Sequence, residues 1–121
     1  MKVLVTGGAG FIGSNLVYKL VDAGHEVTVL DNLLSGFRCN LDPVPQVRFI
    51  EGDVRDTGAL EEAVPSAEVI FHLAASVGNK RSIDLPDDDA EINLIGTIRL
   101  LESARKHGVK KMVASSSAGI F

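Results

Sequence analysis

Three glycines at three-residue spacing, Gly7, Gly10 and Gly13, constrain the fold of this 121-residue chain more than any other feature. They follow a short run rich in β-branched residues, Lys2–Thr6, which is typical of a buried strand. An apolar segment with helical spacing follows them, over residues 11–23. Because glycine has no Cβ atom, it permits a tight turn and lets another group approach the backbone closely. We therefore expect a strand, a tight glycine turn and a helix.

Strand and helix patterns alternate along the rest of the chain. We predict strands over residues 2–6, 26–30, 47–51, 68–72 and 110–115, and helices over 11–23, 57–64 and 86–107. Residues 33–46 are predicted to be an irregular connection, and the inward face of the first helix to be Ile12, Leu16, Leu20 and Ala23. Short alternating elements of this kind form right-handed βαβ units. The predicted fold class is therefore α/β, with a doubly wound parallel sheet of about five strands in one domain over residues 1–121.

The glycine turn lies in the context that a dinucleotide-binding fingerprint requires, after a strand and at the start of a helix. Asp31 ends the second predicted strand, roughly 20 residues further on, where the fingerprint has an acidic residue. A carboxylate there accepts hydrogen bonds from ribose hydroxyls and repels a 2′-phosphate, which favours NAD over NADP. Arg38 lies in the following loop and is not expected to neutralise such a phosphate. A glycine turn that only packs, and an Asp31-Asn32 turn, are the structural alternatives.

Charge and composition exclude several other classes of protein. The net charge of −4 argues against binding to a nucleic-acid backbone. Cys39 is the only cysteine, so we expect no disulfide and a reducing, cytoplasmic location. No apolar run approaches the ~18 residues of a membrane span. The acidic residues 87–89 fit the first turn of a helix better than a metal site, and we expect no metal.

Six short motifs occur in a characteristic order. They are Thr6–Gly13, Leu30-Asp31-Asn32, Gly52-Asp53-Val54-Arg55, His72-Leu73-Ala74-Ala75, Asn93 with Gly96-Thr97, and Ser115-Ser116-Ser117-Ala118. Together they resemble the NAD-dependent epimerase/dehydratase family of extended short-chain dehydrogenases/reductases, and within it the UDP-glucose 4-epimerase-like members. The resemblance covers essentially the whole chain but only the amino-terminal part of the family's proteins. It implies a Rossmann fold without its last strands and without the substrate domain.

The resemblance also implies roles for individual residues. Phe11 and Ile12 would offer main-chain donors to the pyrophosphate, Asp31 and Asn32 would hold the adenosine ribose, and Asp53 and Val54 would contact adenine. The complete implied cofactor set is Gly7, Gly10, Phe11, Ile12, Gly13, Asp31, Asn32, Ser35, Gly36, Asp53, Val54, Leu73, Ala74, Ala75, Asn93 and Ser115. Asn93, with Gly96 in the same predicted helix, is locally unfavourable, since glycine costs about 0.5–1 kcal/mol there. Such a conflict often marks a close contact or a functional position.

Ser117 is the implied catalytic residue, because the matching family position carries a Ser or Thr that hydrogen-bonds the reacting hydroxyl of the substrate. Strand alternation would put Ser115 and Ser117 on one side and Ser116 on the other. Family dehydratases usually have Asp-Glu where this chain has Ala118-Gly119, which favours epimerisation over dehydration. The expected substrate of the whole enzyme is a nucleotide sugar, a UDP-hexose, and the expected assembly is a homodimer.

The family's acid–base pair, Tyr-x-x-x-Lys, is absent from these 121 residues. The only tyrosine is Tyr18, and the fourth residue after it is Asp22. We therefore expect this chain to be the NAD-binding portion of an epimerase and to be inactive alone. A non-catalytic dinucleotide-binding or sensor module, and a nucleotide-sugar dehydratase or reductase relative, remain as alternatives.

Overall fold

The computed structural model describes residues 1–117, except for the side chain of Asn79. Its strands are β1 (Lys2–Thr6), β2 (Glu26–Asp31), β3 (Arg48–Glu51), β4 (Val69–His72) and β5 (Lys111–Ala114). Its helices are α1 (Phe11–Asp22), α2 (Thr57–Ala63), α3 (Asn79–Asp84), α4 (Pro86–Ala90) and α5 (Gly96–Lys106). A 3-10 turn (Arg38–Leu41) precedes β3, and a π turn (Glu91–Ile95) joins α4 to α5.

The five strands form one parallel sheet in the order β3-β2-β1-β4-β5. The chain builds outward from β1 to β3 and then returns to place β4 on the other side of β1. This reversal opens a crevice at the carboxyl ends of β1 and β4, which is where ligands bind in doubly wound sheets. The predicted fold class, a doubly wound parallel sheet of about five strands, is confirmed.

Apolar side chains cover both faces of the sheet. Leu4 points to a cluster that includes Leu30, Ile70 and residues of α2 and α5, such as Leu60 and Leu100. The neighbouring positions Val3 and Val5 point to the opposite cluster, with Val29 and Val17 of α1. Two-sided burial is what the apolar content of 45% and the mean hydropathy of +0.20 suggest. Within residues 1–117, no helix is both long enough and apolar enough to cross a membrane.

The predicted inward face of the first helix is partly wrong. Leu16 and Leu20 pack against the core, but Ile12 is 69% exposed and Ala23 is exposed as well. The residues of α1 that are buried are Gly13, Ser14 and Val17. Small residues face the sheet here because the start of α1 lies directly against the glycine turn. The bulkier Ile12 is directed to the surface of the binding crevice instead.

The region between β4 and β5 also departs from expectation. The predicted helix over residues 86–107 is divided into α4, the π turn and α5, and the preceding α3 was not predicted. Residues 33–46, expected to be irregular, contain the 3-10 turn. Gly96 begins α5 at a very close contact, since a Cβ atom there would lie 2.7 Å from Cγ2 of Val54. This contact explains a glycine in the middle of an otherwise helical segment.

The packing of the glycine turn predicts different outcomes for two alanine substitutions. A Cβ at Gly13 would lie 2.1 Å from the carbonyl oxygen of Gly7, whereas a Cβ at Gly10 meets that oxygen only at 3.4 Å. We expect Gly13→Ala to lower the free energy of unfolding by at least about 2 kcal/mol, because backbone must move. Gly10→Ala should cost about 1 kcal/mol or less, the usual penalty for alanine at a helix N-cap. Urea denaturation measures both, and equal losses would contradict the packing argument.

Candidate functional site

The turn after β1 leaves backbone donors at the start of a helix. Gly7 has a φ of 73°, in the left-handed region, and its N–H donates to the carbonyl of Leu30 at 2.9 Å. The bond from Ser14 N to the carbonyl of Gly10, 2.9 Å long, is the first of the helical ladder. The N–H groups of Phe11, Ile12 and Gly13 therefore precede that ladder. With the positive end of the helix dipole beside them, they form a site suited to an anion such as a pyrophosphate.

Asp31, the last residue of β2, presents a buried carboxylate to the same crevice. Its Oδ2 accepts a hydrogen bond from the N–H of Ala9 at 2.9 Å, and its Oδ1 accepts one from the N–H of Leu33 at 2.8 Å. Each oxygen of a carboxylate can accept a second bond. The remaining lone pairs suit the two hydroxyls of a ribose. Arg38 lies over the ring of Phe49, 4.1 Å from its centroid, so its guanidinium is engaged away from Asp31.

Asp53, two residues after β3, is held by Arg55. Its Oδ1 accepts bonds from the backbone N–H and from Nε of Arg55, and its Oδ2 accepts bonds from Nη2 of Arg55 and from Nδ2 of Asn32. The hydrogen bonds from the Arg55 guanidinium lower the pKa of Asp53 to about 2. Nη1 of Arg55 also contacts Asp88 at 3.3 Å. The Asp53 carboxylate is thus ionised and fully used within the protein, which fixes the backbone of residues 53 and 54.

The expected cofactor residues come together along two adjoining grooves. The smaller groove, about 140 Å³, and the larger, about 990 Å³, share Gly7, Gly10 and residues 73–75. The smaller groove adds Asp31, Asn32, Ser35, Gly36, Asp53 and Val54. The larger groove adds Phe11, Ile12, Gly13, Asn93, Ser115 and Ser117. A dinucleotide has two nucleotide halves joined at a pyrophosphate. Along the two grooves, the acceptor oxygens of Asp31 come first, the amide donors at the start of α1 follow, and the larger groove lies beyond them.

The serine segment after β5 is arranged differently from the expected alternation. Because β5 ends at Ala114, residues 115–117 are no longer part of a pleated strand. Ser115, Ser116 and Ser117 all line the larger groove. The alternation of a pleated strand therefore does not extend to these three serines, and the expected direction of Ser116 stays a prediction. Ala118 and Gly119, which carried the argument against dehydration, lie outside the described residues.

Asn93 lies in the π turn and is directed to the loop after β4. Its Oδ1 accepts a bond from the N–H of Ser76 at 2.7 Å, and its Nδ2 donates to the carbonyl of Ser76 at 3.0 Å. The π turn itself appears in the bond from Gly96 N to the carbonyl of Glu91, five residues earlier. Single π turns within helices are often found at functional sites. The local conflict noted in the sequence thus corresponds to a side chain that fixes the groove wall.

His72 is a residue of this region that the sequence did not assign to the site. The buried ring lies between the hydroxyls of Thr6 and Thr97, with Nδ1 at 2.7 Å from the former and Nε2 at 2.9 Å from the latter. Burial lowers the pKa of His72, so the ring is neutral at pH 7. Spacing along the sequence does not identify these partners, because strand register, which pairs Thr6 with His72, and helix packing bring them together. His107, similarly, contacts Glu61 at 3.1 Å.

Comparisons with known proteins agree with this geometry. The model of the NAD dependent epimerase/dehydratase family matches residues 3–121. A UDP-glucose 4-epimerase of Mycolicibacterium smegmatis is 50% identical over 98% of this chain, which spans 39% of that protein. A putative UDP-glucose 4-epimerase of Methanocaldococcus jannaschii is 42% identical over 97% of this chain, which spans 38% of that protein.

Two solved structures show the same fold with related activities. The UDP-glucose 4-epimerase of Thermus thermophilus in complex with NAD is 45% identical, with a TM-score of 0.87, over 93% of this chain and 36% of that one. A dTDP-glucose 4,6-dehydratase of Streptomyces venezuelae with NAD bound is 42% identical, with a TM-score of 0.85, over 93% of this chain and 38% of that one. The expected cofactor, NAD, is confirmed as that of the family. The chain belongs to the NAD-dependent epimerase/dehydratase family.

Proposed function

We propose that this chain is the NAD-binding part of a UDP-hexose 4-epimerase. The observation that carries the proposal is the continuity of the two grooves, from the acceptor pair of Asp31, past the helix start at Phe11 and Ile12, to Ser117. The relatives whose names read UDP-glucose 4-epimerase, at 50% and 42% identity, support the choice of reaction. NAD, when bound, supplies the acceptor and donor of a hydride.

In this proposal, the residues of the chain bind and orient the cofactor and the reacting sugar. The amides at the start of α1 receive the pyrophosphate, and Asp31 accepts hydrogen bonds from the ribose hydroxyls. The fixed backbone at Asp53 and Val54 borders the adenine, while the small side chains of residues 73–75 let the cofactor lie close to the sheet. Ser117 donates or accepts a hydrogen bond at the reacting hydroxyl of the sugar.

The proton transfer of the reaction is not supplied by the residues described. Tyr18 packs on the core beside Leu41, and its hydroxyl donates to the carbonyl of Asn40, so it is committed elsewhere. With Tyr18 as the sole tyrosine, no phenol of these 121 residues is available to act as the acid–base group. We therefore propose that the 121 residues bind NAD without turning over substrate.

The acceptor geometry of Asp31 predicts that the chain binds NAD at least tenfold more tightly than NADP, because a 2′-phosphate would meet an ionised carboxylate. Gly10→Ala should remain folded but bind NAD at least tenfold more weakly, since its methyl group enters the shared part of both grooves. Isothermal titration with both dinucleotides measures these affinities. Tighter binding of NADP would contradict the role given to Asp31.

The proposed reaction predicts that the full-length protein converts UDP-glucose to UDP-galactose with no net reduction of NAD. Ser117→Ala should lower kcat by at least tenfold and leave the affinity for NAD unchanged, because the serine lies at the substrate end of the larger groove. Product analysis by chromatography distinguishes the second candidate, a dehydratase, which is favoured by the 42% identity to the Streptomyces venezuelae enzyme. Loss of water from the sugar would support that candidate and contradict the epimerase.

An exposed apolar stripe supports the proposal that the full-length protein is a homodimer. Leu94 of the π turn and Ile98 and Leu101 of α5 follow one another at steps of four and three residues and are 58%, 46% and 47% exposed. We expect Ile98→Glu to produce a monomer in sedimentation velocity, because a charge would be buried at the interface. Ile83→Glu, at a position of α3 that is 77% exposed, is the matched control and should stay dimeric. A monomeric wild-type protein would contradict this assembly.

A further inference from the structure

The hydrogen bonds of Thr6 determine which nitrogen of His72 carries its proton. Oγ1 of Thr6 accepts bonds from the N–H groups of Leu73 and Ala74, both at 3.2 Å. The Leu73 N–H is shared with the backbone carbonyl of Thr6, at 3.1 Å, whereas the Ala74 N–H is directed to Oγ1. The hydroxyl hydrogen is then left to donate to Nδ1 of His72, at 2.7 Å. Nδ1 is therefore an acceptor and carries no hydrogen.

The opposite side of the ring gives the same answer independently. Oγ1 of Thr97 donates its hydrogen to the carbonyl of Asn93 at 2.8 Å. The oxygen of Thr97 can then only accept from Nε2 of His72, at 2.9 Å. Thr97 thus requires a hydrogen on Nε2, and Thr6 offers a hydroxyl donor to Nδ1 of the neutral ring. A second proton on Nδ1 would point at a threonine oxygen that already accepts a bond from the N–H of Ala74.

These hydrogen bonds connect the two points at which residues 73–76 are held. Residues 73–76 follow β4, and residues 73–75 line both grooves. The segment is held at its start by Thr6, through Leu73 and Ala74, and at its end by Asn93, through both polar backbone atoms of Ser76. His72 is the bridge between Thr6 on β1 and the π turn that carries Asn93.

We propose that His72 is a positioning residue of the binding site. With its hydrogen on Nε2, the ring links Thr6 to the π turn through hydrogen bonds, and it thereby couples the two ends at which residues 73–76 are held. The proposal rests on the proposed NAD site. His72 acts through Thr6, Thr97 and Asn93, and its role is to fix the groove wall. The competing explanation is that the imidazole only fills space, in which case a ring of similar size would serve as well.

Long-range ¹H–¹⁵N NMR of the chain at pH 7, without cofactor, tests the tautomer directly. We expect the His72 signals of a neutral ring protonated on Nε2. A ring protonated on Nδ1, or one charged at this pH, would overturn the proposal. Because this measurement needs no ligand, it is separate from any failure of the chain to bind NAD.

Amide hydrogen exchange tests the coupling with a matched pair of variants at Thr97. Thr97→Val keeps the shape but removes the hydroxyl, and we expect exchange at Ser76 to become at least tenfold faster. Thr97→Ser keeps the hydroxyl and should exchange like the wild type. Thr97 is partly exposed, so both variants should fold. Unchanged exchange at Ser76 in Thr97→Val would overturn the proposal.

Two substitutions of His72 itself separate hydrogen bonding from packing. Asn at this position places its oxygen near Nδ1 and preserves the acceptor for Thr6, whereas Phe keeps the ring and removes both polar contacts. We expect His72→Asn to keep the wild-type protection of the Ala74 amide from exchange and to lose the protection of the Ser76 amide. His72→Phe should lose the protection of both amides. NAD titration should show at least fivefold weaker binding for Thr97→Val and none of that loss for Thr97→Ser. Full protection in His72→Phe would show that the ring only packs and would overturn the proposal.

Discussion

The close contact between the glycine turn and the segment that follows β4 is the constraint on which the site depends. A Cβ at Gly7 would lie 2.8 Å from the backbone nitrogen of Ala74, and one at Gly13 would overlap the carbonyl oxygen of Gly7. These two glycines bring β1, α1 and the segment after β4 into contact at the point where strand order reverses. Gly10 has a different role, because the space beside it is open and forms part of both grooves.

The sequence predicted the features that local chemistry determines. The apolar strand segments and the glycine turn predicted five strands that alternate with helices. Side-chain direction within α1 was less predictable, because the depth at which a helix meets the sheet depends on residues outside it. Ile12 fits an inward apolar pattern, yet the turn beneath Gly13 and Ser14 leaves no room for a large side chain to face the sheet.

The candidate site was predicted almost entirely through its motifs, while its internal hydrogen bonds were not. Asp31 and Asp53 are both acidic residues at the carboxyl end of a strand, and the sequence does not show how many hydrogen bonds each keeps for a ligand. The structure separates them. Asp31 uses one lone pair of each oxygen and keeps the others for a ligand, whereas Asp53 is saturated by Arg55 and Asn32. Such a difference depends on the partner's side-chain conformation, which spacing along the chain does not encode.

Buried polar residues end three of the five strands, and this position relates the fold to the site. Thr6, Asp31 and His72 are the last residues of β1, β2 and β4, and each is buried after a run of apolar neighbours. Burying a polar group without a partner costs about 1–3 kcal/mol, so each must be hydrogen-bonded. Their partners are the backbone amides of the glycine turn and the following loops, and the side chains of one another. The same bonds that make burial tolerable therefore hold the loops that form the grooves.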